Sequence, residues 1–324
     1  MNAIVVAEPL ADEVLSYLQD HATIKNMAGR DRASLLAEMK PADAIIVRSA
    51  TKVDRDMLSA APRLRVIGRA GVGMDNIDIE WAEARGINVV NTPHANIHSA
   101  AEHAVALILS TMRRIPPAHL SLINGKWNRS SFQGRELFGS TVGVVGAGNI
   151  GSLVAERLKS FGTQILAYDP HLSQSRAAAF PGRLVDLPTL LGSADVITIH
   201  LPLTHETKHL IGANELAASK HGVVVVNASR GGVIDEGALA AAILDGTVSA
   251  AALDVFEIEP CTDSPLFGLS NVVVTPHLGA STREASLRAG TQLAENVVQL
   301  LTPDVVGRGL QAHQEARLAG RQND

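Results

Sequence analysis

Three side chains able to hold an anion or move a proton fall just beyond apolar, β-branched runs of this 324-residue sequence. Arg230 follows "VVVVNAS", Glu259 follows "AALDVFEI" and His277 follows "VVVTP". An arginine grips a carboxylate with a planar, paired fork of N–H donors. A histidine passes a proton to and from an oxygen near neutral pH, and an acid beside it orients the imidazole and favours its charged form. Together they suit the interconversion of a hydroxyl and a keto group on a substrate that carries a carboxylate. Taken singly, each is more often a plain surface residue, and Asp254 in "ALDVF" is equally a turn cap.

A cofactor for that chemistry is suggested upstream. "VGVVGAGNIG" (142–151) places Gly146, Gly148 and Gly151 between a β-branched run and an amphipathic stretch. In that stretch Ile150, Leu153, Val154, Leu158 and Phe161 recur at helical spacing, with Gly162 placed to end it. The first glycine permits a tight turn, the second lets backbone approach a pyrophosphate, and the third lets helix pack on strand. The helix N-terminus adds N–H donors and partial positive charge. "QILAYD" then ends in Asp169, followed by Pro170 and His171. An acid there accepts hydrogen bonds from ribose hydroxyls and repels a 2′-phosphate, which favours NAD over NADP. The bland alternative is a glycine-rich turn. A second loop, "GRAGVGMDNID" (68–78), carries Gly71 and Gly73 but has Asn76 in the third place. Either its backbone N–H groups hold a small anion or it is an ordinary βα turn.

Parallel strands must present these residues, because ligands of open α/β sheets bind beyond the carboxyl ends of the strands. Strands are expected at 3–7, 43–48, 64–69 and 87–91, with a weaker one at 22–26 and helices at 10–19 and 31–39. Residues 98–112 read as a long, mostly buried helix, and "INGKWNRSSFQGREL" after it as an irregular connection. A second series of strands follows at 141–146, 164–168, 195–200, 222–227, 250–254 and 271–275, then a helix over 283–302. The tail from Gly307 is expected to be either a surface helix or disordered.

Bulk properties narrow the function. The length suits two domains of about 150 residues each. A net charge of −5 without a basic block gives nucleic acid no electrostatic footprint. One cysteine, Cys261, excludes an intrachain disulfide and a cysteine metal cluster. His94, His98 and His103 lack a matching set of acids in the sequence, so no metal is expected. No serine-hydrolase elbow is present. No basic n-region opens the chain, and no apolar stretch nears the roughly 18 residues a membrane helix needs, so the cytoplasm is the default location.

The chain resembles the D-isomer-specific 2-hydroxyacid dehydrogenase family from about residue 3 to 304. The motifs that carry the likeness are "VRSATKVD", "GRAGVGMDNID", "NIHSAAEHAVALIL", "GAGNIG" with Asp169, "NASRGGVIDE", "LDVFEIEPCTDSPLF" and "TPHLGAST". The resemblance implies an α/β fold of two Rossmann-like, doubly wound parallel-sheet domains, the nucleotide domain being inserted into a flavodoxin-like substrate domain. Residues 1–97 and 283–324 would form the substrate domain and 98–282 the NAD-binding domain. Catalysis would occur in their cleft, with hinge closure excluding water. The region 98–135 is similar to the family's dimerisation region, which implies a homodimer.

Carried over residue by residue, the resemblance makes Arg230, Glu259 and His277 the catalytic set. It assigns the cofactor to Gly146, Gly148, Asn149, Ile150, Gly151, Asp169, Ala228, Ser229, Arg230, Asp254, His277 and Gly279, with Asp254 at the nicotinamide carboxamide. Val72, Gly73 and Asn96 match contacts to the substrate carboxylate. Arg48 and Arg69 match residues that bind a 3-phosphate, and Arg129 a further basic contact, from this or another subunit.

The implied activity is NAD-dependent oxidation of 3-phospho-D-glycerate to 3-phosphohydroxypyruvate, which opens serine synthesis. Another D-2-hydroxy acid, such as glycerate, glycolate/glyoxylate or a secondary-metabolite keto acid, is the alternative. A NAD(H)-sensing, corepressor-like binding protein is a third reading. Formate dehydrogenase is disfavoured, since those relatives pair the histidine with glutamine. Two departures carry expectations. The chain stops at Asp324 where longer members continue into serine-sensing domains, so activity indifferent to serine is expected. Asn149 stands where many relatives have arginine, which should weaken NAD by about 1–2 kcal/mol.

Overall fold

The computed structural model describes residues 1–302, so the tail from Gly307 lies outside the described residues. The chain divides into two compact units. One holds residues 1–96 with the described residues from 280 onward, and the other is Ile97–Gly279.

The first unit runs β1 (Ala3–Val6), α1 (Asp12–His21), β2 (Thr23–Asn26), α2 (Arg32–Glu38), β3 (Ala44–Val47), α3 (Arg55–Ser59), β4 (Val66–Arg69), α4 (Ile79–Ala84) and β5 (Asn88–Asn91). The second runs α5 (Ile97–Met112), α6 (Ile115–Ile123), a 3-10 turn (Arg129–Phe132), β6 (Thr141–Val145), α7 (Asn149–Lys159), β7 (Gln164–Tyr168), α8 (Gln174–Ala179), β8 (Arg183–Leu184), α9 (Leu187–Ser193), β9 (Val196–Ile199), α10 (Ala213–Ala217), β10 (Val223–Asn227), α11 (Glu236–Leu244), β11 (Val248–Leu253) and β12 (Val272–Val274). The last helix, α12 (Arg283–Leu301), returns to the first unit.

Both sheets are parallel. The first has order β2-β1-β3-β4-β5 and the second β12-β11-β10-β9-β6-β7-β8. The order reverses between β1 and β3 in one sheet and between β6 and β9 in the other, the switch points where doubly wound sheets open a crevice. Strands buried on both faces need apolar residues at every position. In β10, Val223 and Val225 pack into one core layer while Val224 and Val226 pack into the opposite one. In β1, Val5 faces one layer while Ile4 and Val6 face the other, where Ala289, Leu293, Val297 and Leu301 of α12 cover them. An aspartate opens each of α2, α3, α4, α9 and α11, its carboxylate accepting an N–H of the first turn.

Three details depart from the sequence reading. β8 is a two-residue, exposed edge strand, too short and too polar to show a pattern. α6 forms despite Pro116 and Pro117, which stand in its first turn, where proline lacks only a donor that would be unsatisfied anyway. Phe161 lies beyond the end of α7 and is 41% exposed, so it is not part of that helix's buried face.

Candidate active site

Three adjacent strands of the second unit end in line. Asn227 of β10 pairs with Leu253 of β11, which pairs with Val274 of β12. The backbone then turns at each end, and the turns are tied together. Asn227 is buried, its Oδ1 accepting from Ser229 N–H (3.0 Å) and Ser229 Oγ (2.8 Å) while its Nδ2 donates to Arg230 O (2.8 Å). That asparagine shapes the "ASRGG" turn and leaves Arg230 half-buried beyond it. A Cβ on Gly231 would collide with the Phe256 carbonyl, so this turn and the loop after β11 touch backbone to backbone.

That second loop folds onto itself. Glu259 Oε1 accepts from Phe256 N–H (3.1 Å), and its Oε2 lies 2.7 Å from His277 Nδ1. A carboxylate only accepts, so Nδ1 carries the proton and Nε2 is left for another partner. Burial works to raise the pKa of Glu259, but the hydrogen bonds from His277 and Phe256 prevail and hold it below the ordinary carboxylate range. The pair is thus ionised on the glutamate side throughout the neutral range. His277 has φ of 55°, a strained conformation for a side chain of this kind.

What holds that conformation is Asp254, a wholly buried carboxylate. Its Oδ1 accepts from Thr275 Oγ (2.6 Å) and Leu278 N–H (2.7 Å), and its Oδ2 from Gly279 N–H (2.8 Å). Backbone N–H of His277 donates to Asp254 O (2.8 Å). His103 on α5 approaches the same carboxylate, with Nε2 3.2 Å from Asp254 Oδ1. Burial raises the Asp254 pKa, while the hydrogen bonds from His103, Thr275 and Leu278 outweigh it and keep the group below its usual value. The sequence reading found His103 without an acid; the fold supplies one from far along the chain.

The glycine loop follows β6 at the switch point. A Cβ on Gly151 would collide with the Gly146 carbonyl, so only glycine lets α7 sit this close to the turn. Above Gly148, which caps α7, a Cβ would meet nothing within 4 Å, leaving open space at the helix N-terminus. Asp169, at the end of β7, accepts Ala147 N–H on Oδ2 (2.9 Å) and His171 N–H on Oδ1 (3.1 Å). Each oxygen keeps acceptor capacity for a ribose hydroxyl. The open cradle and the acid together fit a dinucleotide. Asn149 is not isolated from positive charge, because Arg176 Nη2 of α8 donates to its Oδ1 (2.6 Å). Arg176 is therefore a cation beside the loop that the sequence reading did not include, and its fork is engaged at Asn149.

His200, just after β9, lies against the same loop, since a Cβ on Gly146 would fall 2.7 Å from His200 O. Its Nε2 pairs with Thr198 Oγ (2.9 Å). Burial pushes the imidazole down from 6.5 to about 4, so it is neutral at neutral pH. The unfolded chain takes this proton near 6.5 and the folded chain only near 4. Acidification across that window should therefore favour unfolding, by up to about 3 kcal/mol from this group. Denaturant titrations at several pH values should show a shallower loss for His200→Asn than for the parent; parallel curves would discount it.

The remaining candidates lie in the first unit. Arg69 ends β4 opposite Val47 of β3, and Arg48 follows Val47, so the two arginines leave neighbouring strand ends. Glu8 accepts the N–H groups of Arg48 (2.8 Å), Ala50 (3.2 Å) and Thr51 (2.9 Å) and so shapes the loop after β3. Asn76 Nδ2 donates to Arg48 O (2.9 Å) and Thr51 O (2.6 Å), which explains an asparagine where a nucleotide loop would have glycine. Arg48 Nη2 reaches Ser286 Oγ (3.4 Å). The Arg69 guanidinium lies over Gly71, where a Cβ would collide with it. Val72 and Gly73 are half-buried, and Val72 O accepts from Asn91 Nδ2 (2.7 Å). Asn96 Oδ1 is buried with no hydrogen-bond partner among the described residues. Arg129 belongs to the second unit, on the 3-10 turn, and is exposed. Among the described residues no three histidine, cysteine or acidic side chains gather as a metal site, and none of the described helices is long and apolar enough to cross a membrane.

Residues 105–279 match the family model described as D-isomer specific 2-hydroxyacid dehydrogenase, NAD binding domain. Over 313 residues the chain is 54% identical to D-3-phosphoglycerate dehydrogenase of Mycobacterium tuberculosis, covering 95% of this chain and 59% of that protein. The chain belongs to the D-isomer specific 2-hydroxyacid dehydrogenase family. It spans about three-fifths of the length of that mycobacterial relative. It is also 43% identical over 300 residues to hydroxypyruvate reductase of Thermotoga maritima, covering 91% of this chain and 97% of that protein. The solved D-lactate dehydrogenase of Aquifex aeolicus, complexed with NAD and lactic acid, matches this dehydrogenase-family fold with a TM-score of 0.82. That likeness has 29% identity and covers 95% of this chain and 98% of that one.

Proposed function

We propose that the protein is an NAD-dependent dehydrogenase that interconverts 3-phospho-D-glycerate and 3-phosphohydroxypyruvate. The observation that carries the chemistry is the 2.7 Å pairing of Glu259 with His277. NAD, held by its pyrophosphate at the glycine loop, would supply the nicotinamide as hydride acceptor. His277, with Nδ1–H committed to Glu259, presents Nε2 to the C2 hydroxyl and takes its proton in oxidation. In the reverse direction it returns that proton to the keto oxygen. Glu259 stabilises the imidazolium formed in between. Arg230 holds the substrate carboxylate with paired donors. Asp254 fixes the Thr275–Gly279 turn and, with the free acceptor capacity of Oδ2, receives the nicotinamide carboxamide. Gly146, Gly148, Asn149, Ile150 and Gly151 cradle the pyrophosphate, and Asp169 selects NAD through the ribose. Ala228, Ser229 and Gly279 line its nicotinamide end.

Arg48 and Arg69 support a phosphorylated substrate, because two guanidinium groups at neighbouring strand ends exceed what a single carboxylate needs. Val72, Gly73 and Asn96 are assigned to the substrate carboxylate, and Arg129 to a further basic contact. Arg69→Ala should lower kcat/KM for 3-phospho-D-glycerate about 10–100-fold, as for a lost charge-assisted hydrogen bond, and barely change that for D-glycerate. Equal losses on both substrates would remove the phosphate assignment. The likeness to a hydroxypyruvate reductase along 97% of its length favours one second reading, reduction of unphosphorylated hydroxypyruvate or glyoxylate. That enzyme would be indifferent to Arg69→Ala.

The protein is further proposed to act as a homodimer. None of the residues of the apolar helix α6 is buried, and Leu120, Ile123, Trp127 and Phe138 are all more than half exposed. An apolar helix left exposed in this way is covered in a stable assembly. Leu120→Asp with Ile123→Asp should convert a dimer to a monomer by light scattering. A monomeric parent protein, or a variant that stays dimeric, would refute the pairing.

A further inference from the structure

We propose that His103 is a positioning residue for His277, acting through the buried Asp254 carboxylate and Thr275; this rests on the reading of His277 given above. His103 projects from α5 with 20% of its side chain exposed, and its Nε2 lies 3.2 Å from both Thr275 Oγ and Asp254 Oδ1. The protons can be assigned. Thr275 has one hydroxyl proton and spends it on Asp254 at 2.6 Å. Toward His103 its oxygen can then only accept, and the carboxylate only accepts as well. His103 Nε2 must therefore carry a proton and share it between the two.

This N–H adds a fourth donor to a carboxylate with no exposed surface. Thr275, Leu278, Gly279 and His103 converge on Asp254, and three of the four flank His277 within two residues. The turn they hold is the one in which His277 adopts φ of 55°. A turn held in a strained conformation persists only when its surroundings over-determine it. His103 is the one member of the set that comes from a different part of the chain, at a sequence separation of 172 from Thr275. It is also the one side-chain N–H donor of the set. Without it, Thr275 Oγ and Asp254 Oδ1 lose a hydrogen-bond partner, and the turn loses its anchor to α5. The charged groups facing this set are Asp254 itself, His277 with Glu259, and His103; on α5, Glu102 lies 3.6 Å from Arg157 instead.

Two variants and two readouts test this on the full chain. His103→Leu should speed hydrogen exchange at the Leu278 and Gly279 amides, which donate to Asp254, while His103→Gln, which keeps an N–H donor, should restore much of the protection. His103→Leu should also lower kcat about tenfold with little change in KM, the size of one lost hydrogen bond to a charged group. In a His277→Ala background the same substitution should cost no further turnover, because a residue acting through His277 has nothing left to act on. Unchanged exchange at Leu278 and Gly279 would overturn the proposal, and so would a full additional loss in the His277→Ala background. If the parent protein turned over no 2-hydroxy acid, the functional reading would fall, and the exchange measurement would still decide whether His103 holds the turn.

Discussion

Replacing His277 by alanine should reduce turnover by about 10²–10⁴-fold, the range for losing a positioned acid–base group. NADH should still bind with near-parental affinity by fluorescence titration. The expectation follows from geometry. His277 is 44% exposed and gives Nδ1 to Glu259 at 2.7 Å, so its free nitrogen is the one open to a substrate oxygen. The glycine loop and Asp169 do not depend on it. Glu259→Gln is a graded companion. It keeps an acceptor for Nδ1–H but removes the charge that stabilises the imidazolium, so it should fall between parent and His277→Ala. Turnover unchanged by His277→Ala would remove the residue as the proton carrier.

Gly231→Ala should be nearly as damaging without removing a single reactive atom. A methyl group there would collide with the Phe256 carbonyl, and backbone cannot give way as a flexible side chain can. The added group must push the Arg230 turn away from the loop whose Phe256 N–H holds Glu259. Overpacking of this kind costs about 1–3 kcal/mol of stability. A displacement near 1 Å of both Arg230 and Glu259 would cost about 10²-fold in rate. Chemical denaturation and steady-state kinetics together check it. A variant with parental stability and rate would show that the two loops do not depend on each other's position.

Much of this was legible in the sequence, and for identifiable reasons. Parallel strands covered on both faces must be apolar at every position, so runs such as "VVVV" at 223–226 stand out. Arg230, Glu259 and His277 were visible because each follows such a run, where open sheets place their ligands. The glycine spacing at 146–151 reads directly because Gly146 and Gly151 each answer a steric demand, while Gly148 leaves open space at the helix N-terminus. The supports of the site were not visible. His103 sits in a mostly apolar helix and meets Asp254 only through the fold, so no local pattern marks it. Asn227 and Glu8 act by hydrogen-bonding turns, a use that any asparagine or glutamate could have. Arg176 is one surface arginine among many until α8 brings it to Asn149. That contact also changes the meaning of Asn149, since the loop keeps a neighbouring cation from a different element.

Oxidation of a phosphorylated D-2-hydroxy acid with NAD is the activity proposed for this chain. The most direct test is the initial rate of NADH formation from 3-phospho-D-glycerate, D-glycerate, D-lactate and glycolate, each assayed with NAD and with NADP. The highest kcat/KM is expected for 3-phospho-D-glycerate with NAD, and little activity with NADP, because a 2′-phosphate held at this loop would meet the Asp169 carboxylate. Equal or greater kcat/KM for an unphosphorylated acid, or a preference for NADP, would contradict it.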